Sequence, residues 1–114
     1  MYIATGLGEL YRVHATAYDV EYLGRPLPYN RAPGIKFGRD GKLYGVGGDQ
    51  GSSFLFSYDA EHGRCETICR IAAQDGVGCY RPHDLVLLDD VAYVAETDSP
   101  GRSGYLWECR GVVG

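Results

Sequence analysis

Residues 34–58 read GIKFGRDGKLYGVGGDQGSSFLFSY, a pattern of three short apolar strands joined by two glycine-bearing connections. The first connection contains Asp40 and Gly41, a pair typical of tight hairpin turns because glycine readily adopts the backbone angles that such turns need. The second connection, residues 47–52, is predicted as a loop because it combines three glycines with Asp and Gln. Residues 64–71 then predict an outer strand, so this part of the chain forms a four-stranded antiparallel unit.

The same plan recurs along the chain. Tyr2, Tyr44 and Tyr93 each open a short apolar strand, with the sequences YIAT, YGVG and YVAE. Each is followed by a glycine-bearing loop and an aromatic-rich strand: ELYRV, SFLFSY and GYLWEC. The tyrosines lie 42 and 49 residues apart, a spacing typical of β-propeller blades of about 40–50 residues. No helical periodicity interrupts the pattern, so the sequence predicts an all-β fold of antiparallel four-stranded β-propeller blades.

Two segments resemble blades of known propellers. The segment that reads GIKFGRDGKLYGVGGDQGSSFLFSYD resembles one blade of the kelch-like and NHL-like β-propellers, in which the pattern dGklYgvgg…lf.yD recurs. The segment that reads YRPHDLVLLDDVAYVAETDSPGRSGYLWEC resembles the closing blade of a larger, seven-bladed propeller. The resemblance implies that residues 1–114 are a single partial β-propeller domain, the C-terminal blades of such a ring, with about two and a half blades.

The blades implied by this resemblance differ in completeness. Residues 1–23 form an incomplete blade, residues 34–71 a complete blade, and residues 83–110 a blade that lacks its outer strand. An open row of blades exposes sheet edges and apolar faces that neighbouring blades would cover. The expected partners are therefore the missing blades, either as the rest of a longer chain or through self-assembly.

The composition excludes some classes of partner. The chain has 15 acidic and 11 basic residues and a net charge of −4. With no cluster of Lys and Arg, it is not expected to bind nucleic acid. No apolar run approaches the roughly 20 residues of a membrane helix, and Met1 is followed by strand sequence rather than a signal peptide. We therefore expect a soluble protein without a membrane partner, and its compartment is unknown.

Four cysteines, at positions 65, 69, 79 and 109, match no metal-ligand spacing. Cys65 and Cys69 lie four residues apart on a predicted strand, and regular alternation places them on one face, roughly 13 Å apart. That separation is too large for a disulfide. We expect free thiols, which favour a reducing compartment.

The connections are predicted to form a candidate functional surface. In antiparallel units they alternate between two ends, so the loops at 47–52 and 96–103 and the connectors at 24–33 and 72–82 gather at one end. We call this end the long-loop face. Loops held on a rigid frame commonly carry function. The polar residues predicted there are Tyr29, Asn30, Arg31, Asp49, Gln50, Tyr80, Arg81, His83, Glu96, Asp98 and Arg102.

The segment Tyr80-Arg81-Pro82-His83-Asp84 contains the candidate catalytic residues, Tyr80, Arg81 and His83. Arg81 has the planar fork that binds a carboxylate or sulfate through two hydrogen bonds. His83 has the chemistry of a general base or a metal ligand. The alternative interpretation is structural: Asp84 orients His83, and the pair ties down the connector.

Acidic residues of the long-loop face are the candidate metal ligands. Glu96 and Asp98, with Asp49 in the equivalent loop of the preceding blade, offer carboxylate oxygens for a divalent metal such as Ca²⁺ or Mn²⁺. Paired carboxylates also flank glycosidic bonds in hydrolases. The alternative is ordinary loop solvation, because Asp-Ser-Pro-Gly is itself a turn sequence. Beyond this candidate metal, the sequence indicates no cofactor.

The remaining polar and aromatic residues are divided by position. The candidate ligand-binding residues are Tyr29, Asn30, Arg31, Asp49, Gln50 and Arg102. Tyr29 and Tyr80 lie in polar connectors, where a ring can stack on a sugar. The aromatic residues expected in the core between blades are Tyr44, Phe54, Phe56, Tyr93, Tyr105 and Trp107.

The resemblance implies three kinds of function. The first, which we favour, is a scaffold that binds a small or carbohydrate ligand over its long-loop face. The second is an enzyme, either a polysaccharide lyase or a metal-dependent lactonase-like hydrolase, because some propellers of this kind are enzymes. The third is a protein-interaction scaffold. The sequence leaves open whether the chain is an enzyme.

Overall fold

The computed structural model describes residues 1–5, 7–25 and 31–113. These residues form an all-β fold of ten strands in three antiparallel sheets, and none of them is helical. They accordingly include no helix long and apolar enough to cross a membrane. The candidate ligand-binding residues Tyr29 and Asn30 lie outside the described residues.

The first sheet has the order β1-β2-β3. Its strands are β1 (Tyr2–Ala4), β2 (Leu10–His14) and β3 (Asp19–Tyr22). Strand β3 begins only at Asp19, because residues 15–18 form the turn between β2 and β3. Tyr18 ends that turn with a φ of 55°, in the left-handed region that closes a hairpin and interrupts a strand.

The middle sheet has four strands in the order β4-β5-β6-β7. They are β4 (Gly34–Phe37), β5 (Leu43–Asp49), β6 (Ser52–Asp59) and β7 (Arg64–Arg70). The tight turn at Asp40 and Gly41 is confirmed: Gly41 has a φ of 85°, and the Gly38 N–H donates to the Lys42 carbonyl at 2.8 Å.

The predicted loop at residues 47–52 is wrong. Gly47 and Gly48 stay in the ladder, opposite Phe54 and Ser53, and only Gln50 and Gly51 form the turn. Their φ angles of 51° and 84° match the tight two-residue turns in which both central residues have positive φ. The glycines that suggested a loop are therefore strand residues, and this connection is short.

The third sheet has the order β10-β9-β8. Its strands are β8 (Pro82–Leu88), β9 (Val91–Glu96) and β10 (Leu106–Cys109). Pro82 pairs with Glu96 and Asp84 pairs with Ala95, so His83 is an extra residue at a β-bulge. Bulges redirect side chains at the end of a strand, and this one leaves His83 exposed at the end of β8 that adjoins the long-loop face.

The middle sheet packs against a neighbour on each face. Leu55 and Val46 join the third sheet in one apolar cluster, whereas Phe56 and Tyr58 on the opposite face pack towards the first sheet. Strand β1 lies against β4, and β8 lies against β4 and β5. Because side chains alternate along β6, this one strand contributes to the apolar core on each face of the middle sheet.

The expected aromatic core is only partly confirmed. Tyr44 and Phe56 are fully buried, and Phe54 and Trp107 are partly buried against the core clusters. For Tyr93 the expectation is wrong, because it lies on the outer face of the third sheet. For Tyr105 the expectation is wrong, because its side chain is 48% exposed and its ring lies under the guanidinium of Arg102. It precedes β10, so strand alternation does not fix its side-chain direction.

A bulge in β7 changes the positions of two cysteines. Tyr58 pairs with Cys65 and Leu55 pairs with Cys69, with a register shift that leaves Ile68 as the extra residue. Because Tyr58 and Leu55 lie on opposite faces of β6, so do the two cysteines. The expectation that they share a face is wrong. All four cysteines of the chain are free thiols, as expected.

Native thiols are expected to differ in reactivity at pH 8. Burial raises the pKa of Cys79 to about 12 and that of Cys109 to about 11. The thiolate is the reactive form, so iodoacetamide should modify the exposed Cys69 first and Cys79 only after unfolding. Mass spectrometry of a time course, with a sample in guanidinium as control, measures this order. Modification of Cys79 as fast as Cys69 in the native protein would contradict it.

Candidate functional site

Backbone hydrogen bonds hold the connections of the long-loop face together. The Gly48 N–H donates to the Arg31 carbonyl at 2.8 Å, which joins the end of β5 to the first connector. The Gly51 N–H donates to the Tyr80 carbonyl at 3.0 Å, and the Thr97 N–H donates to the Arg81 carbonyl at 3.0 Å. The structure therefore brings together residues from four connections that are far apart in sequence.

Arg81 is at the centre of this surface. Its Nε donates to Asp49 at 2.8 Å and its Nη1 donates to Asp98 at 3.1 Å. Its guanidinium carbon also lies 5.7 Å from the centre of the Tyr80 ring. The hydrogen bond from Arg81 lowers the pKa of the Asp49 carboxyl. Arg81 thus links a strand of the middle sheet to the loop that follows β9.

This arginine and its two carboxylates reach solvent. The side chains of Arg81, Asp49 and Asp98 are 30%, 36% and 64% exposed. Surface ion pairs add little to stability, typically about 0–1 kcal/mol. The cluster therefore presents donors and acceptors that a ligand can replace at low cost. Gln50 is exposed beside it in the β5–β6 turn, where its N–H donates to Asp49 at 2.9 Å.

Glu96 is buried and fully hydrogen-bonded. Its side chain is 0% exposed, and both oxygens accept hydrogen bonds from Arg102. The N–H groups of Tyr80 and Tyr105 donate to the same carboxylate at 2.6 and 2.9 Å. Burial acts to raise the pKa of Glu96, but these hydrogen bonds outweigh it and lower the pKa to about 2. Glu96 is thus an ionised anchor that ties two loops to the end of β9.

Two arginines hold the neighbouring backbone. Arg31 donates from Nη1 to the Pro82 carbonyl, which fixes the first connector against the start of β8. Arg70 donates from Nε and Nη2 to the Gly51 carbonyl at 3.3 and 3.0 Å. Sequence reasoning missed Arg70, because it sits within the alternating pattern of β7. The signal that could have indicated Arg70 was its position as the last residue of an outer strand.

Asp84, the expected partner of His83, contacts other residues in the described part of the chain. The Asp84 carboxylate instead accepts hydrogen bonds from Lys36 Nζ at 3.1 Å and from the Leu85 N–H at 2.8 Å. The interpretation that Asp84 orients His83 is therefore wrong. The catalytic roles of Tyr80, Arg81 and His83 stay predictions. Of the three, Arg81 and Tyr80 lie in the network described above.

The candidate metal ligands each contact an arginine. Glu96 binds Arg102, and Asp98 binds Arg81. A Ca²⁺ or Mn²⁺ ion held by this pair would have to replace both contacts, so the metal site stays a prediction. In the described part of the chain, one group of side chains has ligand atoms within 4.8 Å of one another: Asp59, Glu61 and His62.

Comparison with protein-family models, with curated proteins and with solved structures returned no match to this chain. The resemblance to kelch-like and NHL-like propellers stays a prediction, and function has to be argued from the geometry of the long-loop face.

Proposed function

We propose that this chain is part of a β-propeller of the kelch-like or NHL-like kind and that its long-loop face binds a carbohydrate or another small polar ligand. The observation that supports this function is the cluster of Arg81, Asp49 and Asp98, which is exposed where three connections converge. Three antiparallel sheets stacked with their first strands side by side support the propeller architecture.

The chemistry of the cluster suits a ligand with several hydroxyl groups. A sugar hydroxyl both donates and accepts a hydrogen bond. Asp49 and Asp98 offer carboxylate acceptors, and the contacts described for Arg81 use two of the five N–H donors of a guanidinium. The Tyr80 ring lies beside these groups and offers an apolar surface to one side of a sugar ring. A ligand there is oriented by polar groups on a rigid frame.

Arg81→Ala is expected to lower the affinity for a bound oligosaccharide at least tenfold. Removal of the guanidinium takes away donors and leaves Asp49 and Asp98 to repel each other. The measurement is a glycan array with neutral and acidic oligosaccharides, followed by titration calorimetry with the oligosaccharide that the array identifies. Arg81→Lys should give an intermediate loss, because it keeps the charge without the planar fork.

The matched control is Arg64→Ala, which removes an exposed arginine at the start of β7, at the opposite end of the middle sheet. It should bind as the unchanged protein does. Circular dichroism checks that each variant keeps its sheets. The proposal is wrong if the unchanged protein binds no oligosaccharide, or if Arg81→Ala binds with unchanged affinity.

A further inference from the structure

Each outer sheet of the stack has one apolar face that no described residue covers. In the third sheet, a shallow groove of about 250 Å³ is lined by Asp84 and by the apolar residues Leu85, Val86, Tyr93, Ala95 and Leu106. Val86 is 54% and Leu106 is 71% exposed. The opposite side of the same sheet, with Leu85 and Val94, packs on the middle sheet. The groove therefore lies on the outward side of the stack.

The outer face of the first sheet is similar in kind. The strand register aligns Ile3, Tyr11 and Tyr22 across the sheet and pairs Val13 with Val20. Ile3, Val20 and Tyr22 are 46%, 66% and 56% exposed. The alternate residues of these strands, such as Leu10 and Ala4, pack towards the middle sheet. Contiguous apolar patches of this sort mark interaction surfaces in proteins.

The internal interfaces show how such faces pair. Strand β1 of the first sheet lies against β4, the first strand of the middle sheet, and β5 of the middle sheet lies against β8, the first strand of the third sheet. The middle sheet uses opposite faces in the two interfaces: Leu43 and Tyr58 face the first sheet, and Val46 and Leu55 face the third sheet. The outer face of the first sheet and the outer face of the third sheet are the two that have no sheet packed against them among the described residues. Continuing the series of stacked sheets would pair one of these faces with the other.

We infer that the outer face of the third sheet binds the outer face of the first sheet in a second copy of this chain, giving a closed dimer with twofold symmetry. The inference rests on the propeller architecture proposed above. Complete propellers have typically 4–8 blades. The described residues of one copy form three sheets, so two such copies give six, a number within that range. Head-to-tail contacts that close into a ring satisfy both faces of every copy.

The mass in solution tests this assembly. Light scattering after gel filtration should give twice the monomer mass of 12.5 kDa, with dissociation only on strong dilution. A monomer at all concentrations would overturn the inference, and so would an open series of larger species. If these faces bind a different protein, the isolated chain will be a monomer, and the inference is wrong in that case too.

Charge substitutions on the two faces test the pairing. Val20→Glu on the first sheet and Leu106→Glu on the third sheet should each raise the dissociation constant at least a hundredfold, because each buries a carboxylate in the interface. Val77→Glu is the matched control: this side chain is 41% exposed and lies in the connector between β7 and β8, outside both faces. That variant should stay a dimer.

The pattern among variants separates head-to-tail pairing from other dimers. If Leu106→Glu dissociates while Val20→Glu remains a dimer, the third sheet binds itself and the inference is wrong. An equal mixture of the two variants should form a heterodimer through its one unaltered pair of faces, which also shows that both variants are folded. Arg81→Ala should remain a dimer, so loss of oligosaccharide binding and loss of the dimer are observed independently.

Discussion

Glu96→Gln is expected to lower the free energy of unfolding by about 3 kcal/mol, since breaking a buried ion pair leaves its partner charge uncompensated. The carboxylate of Glu96 is fully buried and accepts hydrogen bonds from Arg102 and from two backbone N–H groups. A glutamine amide keeps the shape but turns an N–H₂ group towards donors that need an acceptor. Urea unfolding followed by circular dichroism measures the loss.

The pH dependence of the same variant provides an internal check. The pKa of Glu96 is about 2 in the folded protein against an ordinary value of 4.5, so the unfolded chain takes up this proton first. The stabilisation from Glu96 is complete above about pH 4.5 and is lost as the pH falls towards 2. Glu96→Gln should lack this part of the acid transition. Glu66→Gln, at an exposed position of β7, should keep both the stability and the transition. A Glu96→Gln protein with the stability and acid transition of the unchanged protein would contradict the assignment.

Gly48→Ala is expected to destabilise the middle sheet by about 3 kcal/mol or more, through backbone strain and overpacking together. Gly48 has a φ of 100°, and a Cβ there would overlap the carbonyl oxygen of Ser52. Backbone atoms cannot rotate away as a flexible side chain does, so the end of the β5–β6 hairpin must shift. Chemical unfolding of the variant measures the effect.

Gly51→Ala is the matched control for this close approach. Gly51 has a φ of 84°, but a Cβ there would meet no atom within 4 Å. Alanine at this position should therefore cost only the conformational strain, about 1–2 kcal/mol. Equal losses for Gly48→Ala and Gly51→Ala would show that the overlap with Ser52 contributes nothing.

The strands could be predicted from the sequence more accurately than their ends. The short apolar run from Leu43 to Val46 predicted a strand, which the structure buries on both faces, and the Asp-Gly pair at 40–41 identified its turn. Gly47 and Gly48 misled the prediction, because glycine in a sequence indicates a loop whether or not a ladder partner is present. What keeps them in the strand is the close approach of β6, a tertiary feature that local propensity does not encode.

The candidate site, too, could be predicted from the sequence only in part. The gathering of Asp49, Arg81 and Asp98 follows from the alternation of connections between the two ends of each sheet. The partner that each carboxylate takes could not be predicted. Glu96 is a buried anchor rather than an open ligand because Arg102, six residues later, folds back over the end of its strand. Such a contact depends on loop geometry, and the turn sequence at 98–101 does not specify it.

The extra residue at Ile68 has a wider consequence for β7. Before it, Cys65 and Thr67 stand opposite Tyr58 and Phe56, and after it Cys69 stands opposite Leu55. An unbroken strand would direct all three odd-numbered positions to one side. Here the two halves of β7 are in opposite phase, so Cys65 lies on the face of the middle sheet that is turned towards the first sheet and Cys69 lies on the other face. Deleting Ile68 would place Cys69 directly after Thr67, still opposite Leu55. The strand would then alternate regularly and keep the remaining side chains on their present faces.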